Sequence, residues 1–370
     1  MEKAKVYYTN MRTDFSSGSL LDKLQRLIKK AGMGNIDFEG KYTAIKIHFG
    51  EPGNLAFLRP NYAKVVADMV KELGGKPFLT DCNTLYVGGR KNALDHLESA
   101  YVNGFSPFST GCHILIADGL KGTDEEYVPV RGGEYVKEAK IGRAVMDADI
   151  FISLAHFKGH EATGFGGALK NIGMGCGSRA GKMEMHSAGK PHIDQDLCIG
   201  CHRCEKICAH QAPVFTNNKA SIDHHKCVGC GRCIGVCPKD AVLAASDESN
   251  DVLNCKIAEY SKAVIDGRPH FHISLVIDVS PYCDCHGEND AAIVPDVGFF
   301  ASFDPVALDT ACADAVNRQP IIEGTLLAES DHQGHDHFGA VSPTTNWRSC
   351  IEHAKKIGIG TDEYELIEVK

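Results

Sequence analysis

No run of apolar residues in this chain is long enough to cross a bilayer. Its opening, Met1-Glu-Lys-Ala-Lys-Val-Tyr-Tyr8, has no apolar core of the kind an export signal carries. These absences predict a cytoplasmic protein with reduced thiols and no membrane partner. A basic stripe is also missing. The formal charge is −9, with 39 Lys and Arg against 48 Asp and Glu, which argues against nucleic acid as a partner. There is no low-complexity run, and apart from one cysteine motif no segment is repeated. What the chain does hold in quantity is cysteine, sixteen in 370 residues. Its 43% hydrophobic and 24% charged residues are those of an ordinary globular protein with room for two or three domains.

Half of the cysteines fall in one stretch. It reads Cys198-Ile-Gly-Cys201-His-Arg-Cys204-Glu-Lys-Ile-Cys208 and, after eighteen residues, Cys227-Val-Gly-Cys230-Gly-Arg-Cys233-Ile-Gly-Val-Cys237-Pro238. Three cysteines at three-residue intervals wrap a loop around one cubane iron–sulfur cluster, with Gly200, Gly229 and Gly231 permitting the tight turns. A zinc site takes four ligands in paired C-x₂-C units, so eight cysteines as two sets of three plus one overshoot it. Disulfides require an oxidising compartment that nothing here indicates. The two copies of C-x₂-C-x₂-C-x₃-C resemble the bacterial two-cluster ferredoxin module, in which the fourth ligand is exchanged between copies. That resemblance implies two 4Fe-4S clusters. Cys198, Cys201, Cys204 and Cys237 would hold one, and Cys227, Cys230, Cys233 and Cys208 the other. Ala209 stands where proline is usual in the first copy, which changes loop shape and not ligand count. Because oxygen attacks such clusters, an anaerobic or low-oxygen host is expected. Residues 192–246 carry six Lys and Arg against five Asp and Glu, a balance that suits an internal relay better than a diffusing carrier.

Residues 4–9, 41–48, 77–80, 113–117, 149–154, 270–277 and 364–369 read as strands. Helices are predicted over 19–28, 60–73, 92–102, 136–146, 252–265, 305–316 and 347–357, with Asp304 as an N-cap and Pro305 at the first helical position. The alternation predicts an α/β fold with a mostly parallel sheet and helices on both faces. The same alternation resumes after the cysteine stretch. The expected organisation is therefore an α/β domain in two parts, 1–188 and 247–370, interrupted by a ferredoxin-like α+β unit at 189–246.

Ligands of open α/β sheets bind beyond the carboxyl ends of the strands. After the expected strands come His48-Phe-Gly-Glu51, Asp81-Cys82-Asn83, Asp118-Gly119, His156-Phe-Lys158-Gly-His160 and Asp278-Val-Ser-Pro-Tyr-Cys283-Asp-Cys285-His286. Turn and capping chemistry accounts for Asp81 and Asp118 as well as a site would, and His48 with Glu51 reads equally as structural. Three titratable groups beside one buried strand, His156, Lys158 and His160, point instead to proton transfer or anion binding. The glycine-rich run that follows fails the phosphate-loop pattern. Five residues separate Gly175 from Gly181-Lys182, and Met183 stands where a magnesium-binding Ser or Thr belongs, which excludes a nucleoside triphosphatase. Lys170, Arg179 and Lys182 are candidates for holding an anion or cofactor phosphate, against the alternative of a surface loop. Cys283 and Cys285 are candidate ligands of a further metal completed by His286 or Cys176, or a thiol–disulfide pair, against the alternative of inert buried thiols. The His-rich Asp331-His332-Gln-Gly-His335-Asp-His337 reads as a solvated loop.

The cysteine motifs, Lys158-Gly-His160-Glu-Ala-Thr-Gly-Phe-Gly-Gly-Ala-Leu-Lys-Asn-Ile-Gly-Met-Gly175 and Ser280-Pro-Tyr-Cys283-Asp-Cys285 together resemble the DUF362 family of iron–sulfur proteins with an inserted two-cluster module. The resemblance covers essentially the whole chain. The DUF362 domain is in turn similar to the DUF2088 type found in lactate racemase, which uses a nickel pincer nucleotide, and this likeness implies an additional metal or organic cofactor at the rim. The expected function is an oxidoreductase that passes electrons through two clusters to a substrate or cofactor on the α/β domain. His156, Lys158 and His160 would supply protons or hold an anionic group. Its partners would be an electron donor or acceptor protein and a small-molecule substrate. The alternative is a non-catalytic electron carrier or subunit that docks a redox partner.

Overall fold

In the computed structural model, which describes residues 3–14, 16, 18–85, 88–186, 190–244, 249–331 and 335–370, one strand, Ile150–His156, is buried along all seven residues. Such a strand belongs in the middle of a sheet covered on both faces. Numbering the strands of the main sheet in chain order gives β1 (Ala4–Asn10), β2 (Tyr42–Lys46), β3 (Lys76–Asp81), β4 (His113–Ile116), β5 (Ile150–His156), β6 (His270–Val276), β7 (Gly298–Ser302) and β8 (Tyr364–Glu368). Their spatial order is β8-β1-β7-β6-β5-β2-β3-β4. Only β7 opposes its neighbours; every other pairing is parallel. The sheet draws five strands from before residue 191 and three from after residue 244.

Successive residues of each strand feed opposite cores. Ala44, Phe151 and Phe300 face one side, where helices α3 (Ala168–Cys176), α5 (Asn250–Ile265) and α6 (Pro305–Asn317) supply Ile172, Ile257 and Val306. Ile45, Ile152 and Phe299 face the other, against Leu27 and Val66 of α1 (Leu20–Ala31) and α2 (Pro60–Glu72). Full burial of each large side chain contributes roughly 1.5–3 kcal/mol. Asp304 caps α6 as expected, accepting from the amides of Val306 and Ala307 at 2.8 and 3.0 Å.

Two expectations are corrected and one alternative is ruled out. Strand β7 has no forerunner in the sequence reading, because Gly298–Ser302 is five residues long and buried throughout, so it shows no alternation. The helix expected over 136–146 is instead the strand Glu138–Gly142, paired antiparallel with Glu125–Pro129 and followed by the single turn Arg143–Asp147. There Ala139 and Ile141 point inward with a period of two. The glycine-rich stretch is no surface loop. It forms the hairpin Lys158–His160 with Gly164–Gly166, then α3 and α4 (Arg179–His186). Gly173 is required for this packing: a Cβ there would lie 2.2 Å from the Ile257 carbonyl oxygen on α5. Both expected junctions, 188/189 and 246/247, lie outside the described residues, as does His332.

The cysteine-rich segment folds as two short hairpin-like ladders, Pro191–Ile193 with Val242–Ala244 and Pro213–Thr216 with Lys219–Ile222, and two single-turn helices, Arg203–Ile207 and Arg232–Val236. Its small core of Ala220, Ile234, Ala241 and Val242 packs on Leu85 and Met183 of the α/β body. Among the described residues no helix is long and apolar enough to cross a membrane.

Candidate functional site

The carboxyl ends of β2, β3 and β5, the 158–166 hairpin and helices α3 and α4 enclose a cavity with about 740 Å³ of atom-free space, part of it open to solvent. Five cationic side chains, Lys46, Arg90, Lys158, Lys170 and Lys182, line it. Three of them meet carboxylates. Lys46 Nζ lies 3.1 Å from Asp81 Oδ1 and donates to Asn171 Oδ1 at 3.0 Å. Arg90 Nε donates to Glu51 Oε2 at 2.6 Å, with Nη1 2.9 Å from His48 Nε2. Lys158 Nζ lies 3.3 Å from Asp284 Oδ2. Lys182, by contrast, donates to the carbonyls of Gly177 and Gly175, and Lys170 donates to Cys283 Sγ at 3.1 Å. The cavity therefore carries a surplus of positive charge. Burial opposes ionisation of Asp81, but Lys46, His96 and His48 outweigh it and hold the carboxyl below the usual range. Asp118 behind the cavity is pushed up to about 6 by burial, despite Lys182 and its hydrogen bond from the Asn83 amide.

Beside this cavity the chain bends sharply at Cys283, where the Cys283 carbonyl accepts from the His286 amide at 3.1 Å. The bend is anchored from several directions. The wholly buried Asp284 carboxylate meets His156 Nδ1 at 2.9 and 3.0 Å as well as Lys158, and the Asp284 carbonyl accepts from the Glu51 amide at 2.9 Å. Asn54 Nδ2 donates to the His286 carbonyl at 3.0 Å. Burial disfavours the Asp284 anion, yet His156 and Lys158 hold its pKa below the usual range. The bend brings Cys283 and Cys285 together with His160 into a group whose ligand atoms lie within 4.8 Å of one another; Glu161, Cys285 and His286 form a second such group. The chain thus presents arrangements that could hold a metal. The hydrogen bond from Cys285 is the largest influence on Cys283, and with Lys170 it holds that thiol well below its ordinary value against burial. Cys285 is raised by the same hydrogen bond and by burial.

The eight motif cysteines sort into two groups. Cys198, Cys201, Cys204 and Cys237 line one cavity together with Ile193, Phe215 and Val242. Cys208, Cys227, Cys230 and Cys233 line another together with Ala212, Pro213 and Ile222. Backbone amides of Ala220, Ala212 and Ala241 donate to the sulfurs of Cys198, Cys208 and Cys237 at 3.4, 3.4 and 3.2 Å. Donors of this kind stabilise thiolates, and soft ligands in fours with an apolar surround fit iron–sulfur cubes. The second loop docks on α4: a Cβ on Gly235 would lie 2.2 Å from Arg179 Nη1. An ion pair between Lys91 and Asp240 fastens the same edge.

Of the sequence candidates, His156, Lys158, His160, Lys170 and Lys182 converge on the main cavity, and Cys285 reaches it. His156 has both ring nitrogens committed, Nε2 to the Ile277 carbonyl at 2.8 Å and Nδ1 to Asp284, so it positions the bend and is not free to exchange protons with a ligand. Lys158 shares that task. Arg179 does not line the cavity; it donates to the carbonyls of Lys121 and Lys91 and faces the cysteine loop. Cys176 does not join Cys283 and Cys285, because its carbonyl accepts from Cys82 Sγ on another part of the rim. The sequence reading missed Lys46, Arg90 and Asp284. Lys46 had a signal, a charge in the middle of an apolar strand that must find a partner. Arg90 had none, since it follows two glycines in a loop.

In class this is an α/β protein with a mostly parallel sheet, a cysteine-rich unit docked on it and a cation-lined cavity at the strand ends. Residues 43–314 match the family described as Domain of unknown function (DUF362), and the chain belongs to that family. A thylakoid-associated protein of Synechocystis sp. is 29% identical over 172 residues, which cover 44% of this chain and 47% of that protein; the chain spans about half the length of this curated relative. Among solved structures, the lactate racemase apoprotein from Thermoanaerobacterium thermosaccharolyticum superposes with a TM-score of 0.40 at 12% identity, over 74% of this chain and 51% of that one. A protein from Thermotoga maritima superposes with a TM-score of 0.38 at 12% identity, over 91% and 58% of the two chains.

Proposed function

We propose that this protein is an iron–sulfur oxidoreductase that relays electrons from a donor protein to a small anionic substrate or cofactor in the cation-lined cavity. The observation that carries the reading is the sorting of eight cysteines into two sets of four, each drawing three from one motif copy and one from the other. Bound there, two 4Fe-4S clusters would supply one-electron transfer. The chain's own residues do the rest. Eight thiolates would hold the metal, and three amides would tune their charge through hydrogen bonds to sulfur. Apolar neighbours such as Ile193, Phe215 and Val242 exclude water. Met183 belongs to the apolar cluster that includes Cys204 and Cys233, and the residue before it, Lys182, lines the cavity; a short covalent step thus links the two sites. Lys170 and Lys182, the cations without a carboxylate among their hydrogen-bond acceptors, would meet the ligand's negative charge. A reduced-thiol compartment such as the cytoplasm suits this chemistry.

The test is metal analysis and paramagnetic resonance on anaerobically purified protein. Iron and acid-labile sulfide near eight each, with a signal from interacting reduced clusters after dithionite, are expected from two four-iron cubes. Colourless protein with no such signal overturns the proposal.

A further inference from the structure

Cys283 and Cys285 take no part in the two groups of four. We infer that Cys283 and Cys285 form a reversible dithiol–disulfide couple that exchanges with an anionic disulfide entering the cation-lined cavity. For its electron supply the couple rests on the iron–sulfur reading above.

The geometry favours sulfur redox chemistry over a metal. The bend at Cys283 already holds the two sulfurs within 4.8 Å of each other, and Asp284 between them is locked by His156 and Lys158. The His160 ring argues the same way. Its Nδ1 accepts from the amides of Ala162 and Thr163 at 3.0 and 3.2 Å, so the ring hydrogen sits on Nε2. A metal-bound histidine needs the opposite arrangement, a lone pair toward the ion and its other nitrogen donating. Here the ring presents a donor to the sulfur group. The Lys170 ammonium, 3.1 Å from Cys283 Sγ, occupies the place of the positive charge that a metal would bring. These are the surroundings of a cavity-lining thiol backed by a resolving thiolate.

The chemistry balances. Cys285, the sulfur that lines the cavity, loses its proton to solvent past the exposed His286 and attacks one sulfur of the incoming disulfide, forming a mixed disulfide and expelling one thiolate. The Cys283 thiolate, held beside Lys170, then attacks Cys285 and expels the second thiolate. Two electrons, delivered singly by two reduced iron–sulfur carriers, then break the Cys283–Cys285 bond. One electron pair remains on Cys283 beside Lys170, and Cys285 takes up one proton.

The test uses the full chain, purified anaerobically and exposed to glutathione disulfide at graded ratios. Each sample is quenched in acid, unfolded, alkylated with N-ethylmaleimide and read by peptide mass spectrometry. Cys283 and Cys285 should lose their labels together, and dithionite should restore both. Lys170→Met should slow the loss about tenfold or more at pH 7, with Lys170→Arg closer to wild type. Retention of both labels at every ratio overturns the inference. So does one equivalent of zinc that shields both sulfurs until a chelator removes it. Iron, sulfide and resonance measured on the same sample separate the two readings: paired label loss without clusters supports the couple and removes its proposed electron source.

Discussion

Replacing Asp284 by Asn removes one charge from the centre of a buried set. The Asp284 side chain is 0% exposed, His156 1% and Lys158 7%, with contacts of 2.9 Å and 3.3 Å. Breaking a buried pair by deleting one partner costs about 3–5 kcal/mol, because the remaining charge has no water to solvate it. With an unfolding entropy of roughly 2.1 cal/mol/K per residue, 370 residues give about 0.8 kcal/mol/K, so a loss of about 4 kcal/mol lowers the melting midpoint by about 5 °C. Anaerobic thermal unfolding followed by circular dichroism measures it. The pairing argument makes a sharper demand on a double variant. Lys158→Met should be costly by itself, but combined with Asp284→Asn it should recover about 2 kcal/mol relative to the sum of the single changes. Additive losses, with coupling below about 0.5 kcal/mol, would refute the claim that Lys158 and Asp284 act as a unit.

Two further outcomes follow from the same packing. The Asp309 carboxyl, which accepts from the amides of Ala168 and Leu169 at 2.6 and 2.9 Å, is pushed up to about 7 by burial. Its folded value lies above the ordinary 3.8, so the fold favours the neutral form; that contribution is complete below about pH 4 and is lost as pH rises through 7. Stability should therefore fall by about 2–3 kcal/mol between pH 5 and pH 8 on this account, and Asp309→Asn should flatten that part of a urea-denaturation series. A flat wild-type profile would contradict it. Gly173→Ala should cost about 1–3 kcal/mol by forcing α3 away from the Ile257 carbonyl on α5, read as a lower denaturation midpoint; an unchanged midpoint would mean the helices separate freely.

The amino-acid order by itself determined the elements whose cause is local. Apolar runs of strand length marked β5 and β6, Asp304-Pro305 marked the start of α6, and the spacing of eight cysteines marked two groups before any fold was known. The polar residues after the strands were also legible, because an α/β sheet puts its strand ends on one rim. Only the tertiary structure decided the roles. It turned His156 and Lys158 into anchors of Asp284, sent Arg179 to the cysteine loop instead of the cavity, and added Lys46 and Arg90 from distant segments. It also made the glycine-rich stretch a packed helix, where the bare Gly173 lets α5 come close. The physical reason is the range of the interactions: hydrogen bonding and propensity act over a few residues, whereas charge pairing and close packing join groups that the sequence separates by a hundred or more.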